Sequence, residues 1–326
     1  MKNNRIKPPV ALLLFSGGLD SILASKILES LGVKVKLLTF KSYFFDNTQA
    51  KNSAKILRKK IKTIDISKKH LKTVLSPQYG YGKGLNPCLD CHLLMIKEAK
   101  KFLKKEGALF LATGEVVGQR GKSQKMQDLQ IIEKKSGLLG KILRPLSAQI
   151  LPPTIWEKKG LIKRDKLLNI QGKSREQQIA LAKKFNIKNY PSPAGGCILT
   201  DLNFAKRLKK LLQYRAKPTK NDLKLLRLGR HFWENNAQII VGRNHTENQQ
   251  LKKSSQGNDI LMELNDIVGP LTLIRFYGKT TISAKEKTVK HAAQLTKYYS
   301  TKARNLIKIK IKYKKKRNKK YRLIII

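Results

Sequence analysis

Acidic residues are scarce in this sequence. Asp and Glu number 21 against 70 Lys and Arg, which leaves a net charge of +49 over 326 residues. Such a field repels basic partners and attracts polyanions, nucleic acid first and an anionic membrane surface second. Codon bias accounts for abundant Lys, Ile and Asn, but not for the shortage of acids. Cysteine is nearly absent as well: only Cys88, Cys91 and Cys197 occur. An odd, sparse set argues against a secreted disulfide framework and leaves ligands, nucleophiles or plain core residues in a reducing compartment. No apolar run approaches the ~20 residues of a membrane span, and no secretory signal pattern opens the chain. The expectation is a cytoplasmic protein with no membrane partner. Internal repeats are not visible. What the sequence does have is a 40% hydrophobic content, enough to build more than one core.

The pattern of apolar runs and helical periodicity predicts an α/β protein. Residues 10–15 read as a buried strand, 21–31 as a helix, 34–40 as a strand, 47–61 as a basic helix and 63–66 as a third strand. A glycine-bearing loop over 76–87 leads into a helix over 89–105. A fourth strand is predicted at 108–113 and a fifth at 142–146. Strands separated by helices imply right-handed crossovers and a doubly wound, mostly parallel sheet. Ligands then belong at the carboxyl ends of the strands, in loops that begin at Ser16, after Phe40 and at Gly114. Pro152-Pro153 marks a break, with helices following at 175–185 and 204–214. From about Pro218 the texture changes to short strands ("AQIIVG", "LTLIRFYG") and a helix at 289–296, which predicts a smaller C-terminal α+β domain. The expected boundaries are 1–215, 216–305 and a basic tail over 306–326. The stretch "KIKIKYKKKRNKKYRLIII" reads either as an edge strand with a solvated tail or as an arm that contacts phosphates.

The most informative local feature is "LLLFSGGLDS". A strand ends in Ser16, Gly17 and Gly18, and a helix starts through Leu19, Asp20 and Ser21. Glycines let backbone N–H groups approach oxygens, and a helix start offers unpaired donors and a positive dipole end. Asp20 suits either a Mg²⁺ ligand or a helix cap. The motif is neither the Walker loop nor GxGxxG. It matches SGGxDS and resembles the PP-loop ATP pyrophosphatases, which implies ATP cleavage between the α and β phosphates. Further stretches, "ATGEVVGQRGKSQ", "ILRPLSA", "LPPT", "GKSREQQIALA" and "PSPAGGCILTD", resemble the tRNA-thiolating branch, in particular the adenine-nucleotide-hydrolase domain of 4-thiouridine synthases. One departure is Gly121-Lys122, where that family pattern has Pro-Met. "RLGRHFWENNAQIIVGRNHTENQQL" resembles the RNA-binding module of ribosome quality-control proteins. Together these likenesses span roughly residues 10–300.

The resemblance implies an ATP-dependent tRNA sulfurtransferase in which a uridine carbonyl oxygen is adenylated and replaced by sulfur. It implies ATP at Ser16, Gly17, Gly18, Leu19, Asp20 and Ser21, with Phe40 beside the adenine and Gly114, Gln119 and Arg120 completing the pocket. Asp20, Cys88, Cys91 and Cys197 are the implied catalytic residues, with Mg²⁺ as cofactor. Sulfide or a persulfide from a cysteine desulfurase is the implied donor. Several readings of the cysteines stand side by side. The three thiolates bind a [4Fe–4S] cluster with one open iron. Alternatively Cys197 carries a persulfide that Cys88 or Cys91 resolves. A zinc site needs a fourth ligand, and His92 adjoins Cys91 without the usual spacing. The remaining reading is three small buried residues. The position of Cys88 and Cys91 at a helix start favours thiolate. Glu115 is either a proton shuttle or a salt-bridge partner. Arg230, His231 and Arg243 are the RNA-contact candidates, with His231 suited to stacking on a base. Two alternative functions are an RNA-binding accessory protein with a vestigial PP-loop domain, and another PP-loop ligase that modifies tRNA. The intact SGGxDS counts against the first and the cysteines against the second.

Overall fold

The computed structural model describes residues 8–191 and 197–326. The "AGG" turn expected before Cys197 lies outside the described residues.

The first apolar run forms β1 (Val10–Leu14). Its neighbours follow as α1 (Leu19–Ser30), β2 (Lys34–Lys41), α2 (Thr48–Ile56), β3 (Ile61–Asp65) and α3 (Ser67–Leu75). Then come α4 (Cys88–Lys100), β4 (Phe110–Thr113), α5 (Met126–Ser136) and β5 (Ile142–Leu143). Short helices α6 (Ile155–Lys158) and α7 (Glu176–Lys184) complete this unit, which ends at Asp201. All five strands are parallel, in the order β3-β2-β1-β4-β5. The chain reverses its direction of winding between β1 and β4, so the crevice beyond their carboxyl ends is the switch point where such sheets bind ligands. Alternation along β1 explains why both sheet faces are covered. Ala11 and Leu13 join the core under α1, while Leu12 joins the core under α4 and α5.

The second unit begins at Leu202. It comprises α8 (Leu202–Tyr214), α9 (Lys220–Leu225), β6 (Arg230–Glu234), β7 (Ala237–Val241), α10 (His245–Ser254), β8 (Ile260–Leu264), β9 (Thr272–Phe276), α11 (Ile282–Tyr298), β10 (Lys310–Lys315) and β11 (Arg322–Ile325). Its six strands are antiparallel, in the order β11-β10-β8-β9-β7-β6. Val289, Ala292 and Ala293 of α11 pack on one face. Leu225 of α9 and Leu251 of α10 pack on the other. Asn235 and Asn236 both hold positive φ and close the β6–β7 hairpin, the conformation a two-residue primed turn requires.

Two sequence expectations are corrected. The division falls between Asp201 and Leu202 rather than after residue 215, so α8 belongs to the C-terminal unit. Residues 306–326 are not a free tail: they supply β10 and β11, because Ile309 and Ile311 alternate with lysines and bury one face. Among the described residues, no helix is long and apolar enough to cross a membrane.

Candidate functional site

Beyond β1 the chain turns at Gly17 with φ +79°. A Cβ there would lie 2.7 Å from both the Ala50 Cα and the Gln49 carbonyl oxygen, so the backbone of α2 leaves no room. The loop is knit by its own serines. The Gly17 N–H donates to Ser21 Oγ (3.1 Å), Ser21 Oγ donates to the Gly18 carbonyl (2.8 Å), and the Gly18 N–H donates to Ser16 Oγ (3.3 Å). Ser53 of α2 donates to the Gly17 carbonyl (2.8 Å). Gly18 caps α1 in an extended conformation with no side-chain cap bond, which leaves the first-turn N–H groups of α1 for an anion. At the end of β4, a Cβ on Gly114 would meet the Asp20 carbonyl carbon and the Ser21 nitrogen at 2.7 Å. The two loops at the switch point therefore touch backbone to backbone.

Asp20 sits in the first turn of α1 and does not cap it. Its Oδ2 accepts from Gln119 Nε2 at 3.1 Å, while Oδ1 is buried with no hydrogen-bond partner among the described residues. Burial raises its pKa, opposed by Gln119, Arg175 and Arg120. Around it, Gln119 Oε1 and Arg175 Nε are likewise buried and unpaired, and the Gln178 amide approaches Asp20 closely enough to lower its pKa. An unpaired buried polar group costs free energy, so a cluster of them marks a place built for a bound partner. An orphaned carboxylate oxygen suits a hard cation in such a place. Arg175 and Gln178 received no role in the sequence reading. Their i, i+3 spacing puts both on one helix face, but only the packing of α7 on α1 brings that face to Asp20. Phe40 is a buried core residue, so only its backbone is available to a ligand.

The thiols form a second neighbourhood. Cys88 opens α4 half-buried, and Cys91 one turn on is buried. The Leu85 N–H donates to the Leu199 carbonyl at 2.9 Å, tying the segment after Cys197 to the loop before Cys88. Burial pushes the Cys91 thiol up, and the charges of Cys197, Cys88 and Asp90 add to the shift. Burial also raises Cys88, against the pull of Arg120 and Lys122. Desolvation thus opposes the thiolate that the helix start favours. All three cysteines are free. Among the described residues, no group of three or more His, Cys, Asp or Glu is disposed to hold a metal ion. His92 turns Nδ1 to Glu115 Oε1 at 2.8 Å. The three thiols match the donor type of an iron–sulfur cluster and fall one short of its usual four. The charge of Arg120 lowers the pKa of both Asp20 and Cys88 against the opposing effect of burial.

Residues 9–150 match the family model described as thiamine biosynthesis protein (ThiI). Residues 229–326 match that of the NFACT protein RNA binding domain. The chain carries a ThiI domain followed by an NFACT RNA-binding domain. No curated protein matches the chain. Solved structures similar to it include a predicted subunit of tRNA methyltransferase from Methanocaldococcus jannaschii, at 20% identity and TM-score 0.37, over 64% of this chain and 89% of that one. A 4-thiouridine synthetase in complex with RNA and bound ATP shares 20% identity at TM-score 0.38, over 67% of this chain and 52% of that one. The C-terminal part of the fibronectin/fibrinogen-binding protein from Streptococcus suis shares 10% identity at TM-score 0.26, over 79% and 92%. The chain spans about half the length of that 4-thiouridine synthetase.

Behind the ThiI-domain site lies a buried ionic network. Arg144, 1% exposed, donates from Nε to Glu115 Oε2 at 2.9 Å and from Nη1 to Glu133. Thr113 Oγ1 donates to Glu115 Oε2 at 2.9 Å. Burial alone would raise the Glu115 carboxyl, but Arg144 and His92 outweigh it and hold the group down at about 2. Of the two readings of Glu115, the structure favours the salt-bridge partner: a carboxylate held that low carries no proton near neutral pH.

In the NFACT domain the three RNA-contact candidates have these surroundings. Arg230 lies over the Tyr299 ring at 4.6 Å. Arg243 is bonded through Nε and Nη2 to Glu247. His231 points to the opposite face of β6 from Arg230, with Nδ1 2.9 Å from Gln238 Nε2 and Nε2 buried without a partner. Burial lowers its pKa to about 3. His231 is half-buried and its ring stacks toward Trp233.

Proposed function

We propose that the chain is an ATP-dependent tRNA sulfurtransferase acting on a uridine carbonyl. The observation that carries the reading is the loop over residues 16–21 at the switch point between β1 and β4, with its left-handed turn at Gly17 and the free first-turn N–H groups of α1. The uridine oxygen attacks the α-phosphorus of ATP, the bond to the β-phosphate oxygen breaks, and pyrophosphate leaves. Backbone N–H groups at the start of α1, with Ser16 and Ser21, stabilise charge on the transferring phosphoryl group; fixed donors of this kind lower barriers without reorganising. Asp20 Oδ1 would hold Mg²⁺, which when bound neutralises phosphate charge. Sulfur presented at Cys88, Cys91 and Cys197 then attacks the activated carbon, and AMP leaves with its bonding electrons.

Cys88, Cys91 and Cys197 would together hold a [4Fe–4S] cluster, which supplies an iron site for sulfide. A second route on the same cysteines needs no metal. There a Cys197 persulfide gives its outer sulfur to the uridine, Cys88 closes a disulfide on Cys197, and an external thiol reductant restores both. The RNA-binding domain and the basic surface supply tRNA affinity, which falls steeply with salt.

The test separates the two half-reactions. With tRNA and ATP, Cys88→Ala is expected to keep releasing pyrophosphate while thiolated nucleoside disappears from the tRNA digest by mass spectrometry. Retention of the thiolated nucleoside would remove Cys88 from the sulfur step. Loss of pyrophosphate release with the nucleotide site intact would remove the two-neighbourhood reading. An anaerobic visible spectrum distinguishes cluster from persulfide.

A further inference from the structure

The C-terminal sheet has one face that nothing so far explains. Along β10, Ile311 and Tyr313 turn toward α11, so Lys310, Lys312 and Lys314 turn the other way. Register confirms it: Lys312 pairs with Glu263 and Lys314 with Leu261, which packs on the α9 and α10 side. On β11 the partners on this face are Leu323 and Ile325, 59% and 62% exposed. Tyr321, 45% exposed, lies under the Lys314 ammonium at 4.2 Å and the Lys312 ammonium at 5.8 Å. A cavity of about 110 Å³ beside it is lined by Lys252, Leu261, Glu263, Lys314, Lys316 and Tyr321.

Two ordinary explanations fail. Lysines often guard exposed sheet edges, but β10 is an interior strand between β8 and β11. Lysines also balance acids, yet residues 301–326 hold twelve Lys or Arg and no Asp or Glu. Glu263 meets only Lys312, at 4.0 Å. Like charges repeated along one strand face repel, so this row costs the fold something and needs an external partner. Every second residue on a strand recurs at about 6.8 Å, close to the spacing of successive phosphates in an extended nucleic acid strand. A flat row of cations beside an exposed aromatic ring and apolar side chains suits unstacked bases better than a duplex.

We propose that the face formed by Lys310, Lys312, Lys314 and Tyr321 binds a single-stranded stretch of RNA, with phosphates along β10 and a base on Tyr321. This rests on the reading that the chain acts on RNA. The full-length chain is titrated with a labelled single-stranded RNA of about 12 nucleotides, with a duplex of equal length, with tRNA, and with vesicles of anionic lipid. Lys310/Lys312/Lys314→Gln is expected to flatten the slope of log affinity against log salt by about 2. Tyr321→Ala is expected to weaken single-strand binding roughly five- to hundredfold. Lys285/Lys287/Lys290→Gln removes the same charge from the exposed side of α11 and is expected to change little. Thermal melts check that each variant stays folded. Equal losses in the two lysine triples, or an unchanged salt slope in the β10 triple, would overturn the proposal. So would loss of vesicle binding with RNA binding intact. A wild-type chain that binds none of the three RNAs would overturn the functional reading as well, whereas wild-type binding with indifferent variants overturns only this face.

Discussion

Gly17→Ala is expected to reduce ATP-dependent pyrophosphate release by roughly 10²–10³-fold, the scale seen when a preorganised donor is lost. Two costs meet at this position. The left-handed backbone, φ +79°, disfavours any residue with a Cβ. The added carbon would also sit 2.7 Å from backbone atoms of Gln49 and Ala50, which cannot swing aside as a side chain could. Either α2 retreats and the Ser53 bond to the loop breaks, or the loop flattens and its N–H groups lose their aim. Gly32→Ala separates the two costs, because Gly32 has φ +75° and nothing within 4 Å of the added carbon. It is expected to lower the melting temperature slightly and leave pyrophosphate release intact. Equal activity in the two variants would refute a phosphate role for the loop.

Arg144→Met is expected to be the most destabilising single change in the ThiI domain. It strands Glu115 and Glu133 in a low-dielectric interior, where breaking a buried pair costs about 3–5 kcal/mol. For a unit of this size that lowers the melting temperature by roughly 6–20 °C. The same network sets an acid limit. Glu115 has an ordinary value of 4.5 and is held at about 2 in the fold. Its contribution is therefore complete above about 4.5 and disappears as pH falls toward 2. Urea unfolding at about pH 5 and about pH 3 is expected to show a steep acid loss in the wild type. Glu115→Gln is expected to start lower at the higher pH and to lose less between the two. A wild-type stability that is flat over this window would contradict the network.

How much of this was legible in the sequence depends on how local each feature is. The strand, loop and helix from Val10 to Ser30 were readable because a buried apolar run, two glycines and a periodic helix are written side by side. The parallel sheet followed from alternation of elements, with strand ends off by a few residues. The C-terminal sheet was only partly readable. "AQIIVG" and "LTLIRFYG" announced β7 and β9, but β6 (Arg230–Glu234) is polar and aromatic, and the lysines of β10 masked a strand whose alternate residues are buried. The nucleotide site was legible at Ser16 to Ser21 and illegible at Arg175 and Gln178, which reach Asp20 only through helix packing. The thiols were legible as a set, but not their burial, which is a property of the folded chain and not of a CxxC spacing.

The central place of β1 also has a consequence for how the chain is made. Leu12 pairs with Lys36 on one side and with Leu111 on the other. During synthesis the second edge of β1 therefore stays unpaired until β4 has emerged, and an apolar strand waits in the open. Long-range parallel pairing of this kind folds slowly and exposes aggregation-prone surface. The C-terminal sheet is relieved of that delay, since β6 with β7 and β10 with β11 are neighbours in sequence. β4 is thus the segment whose arrival ends the exposure of β1.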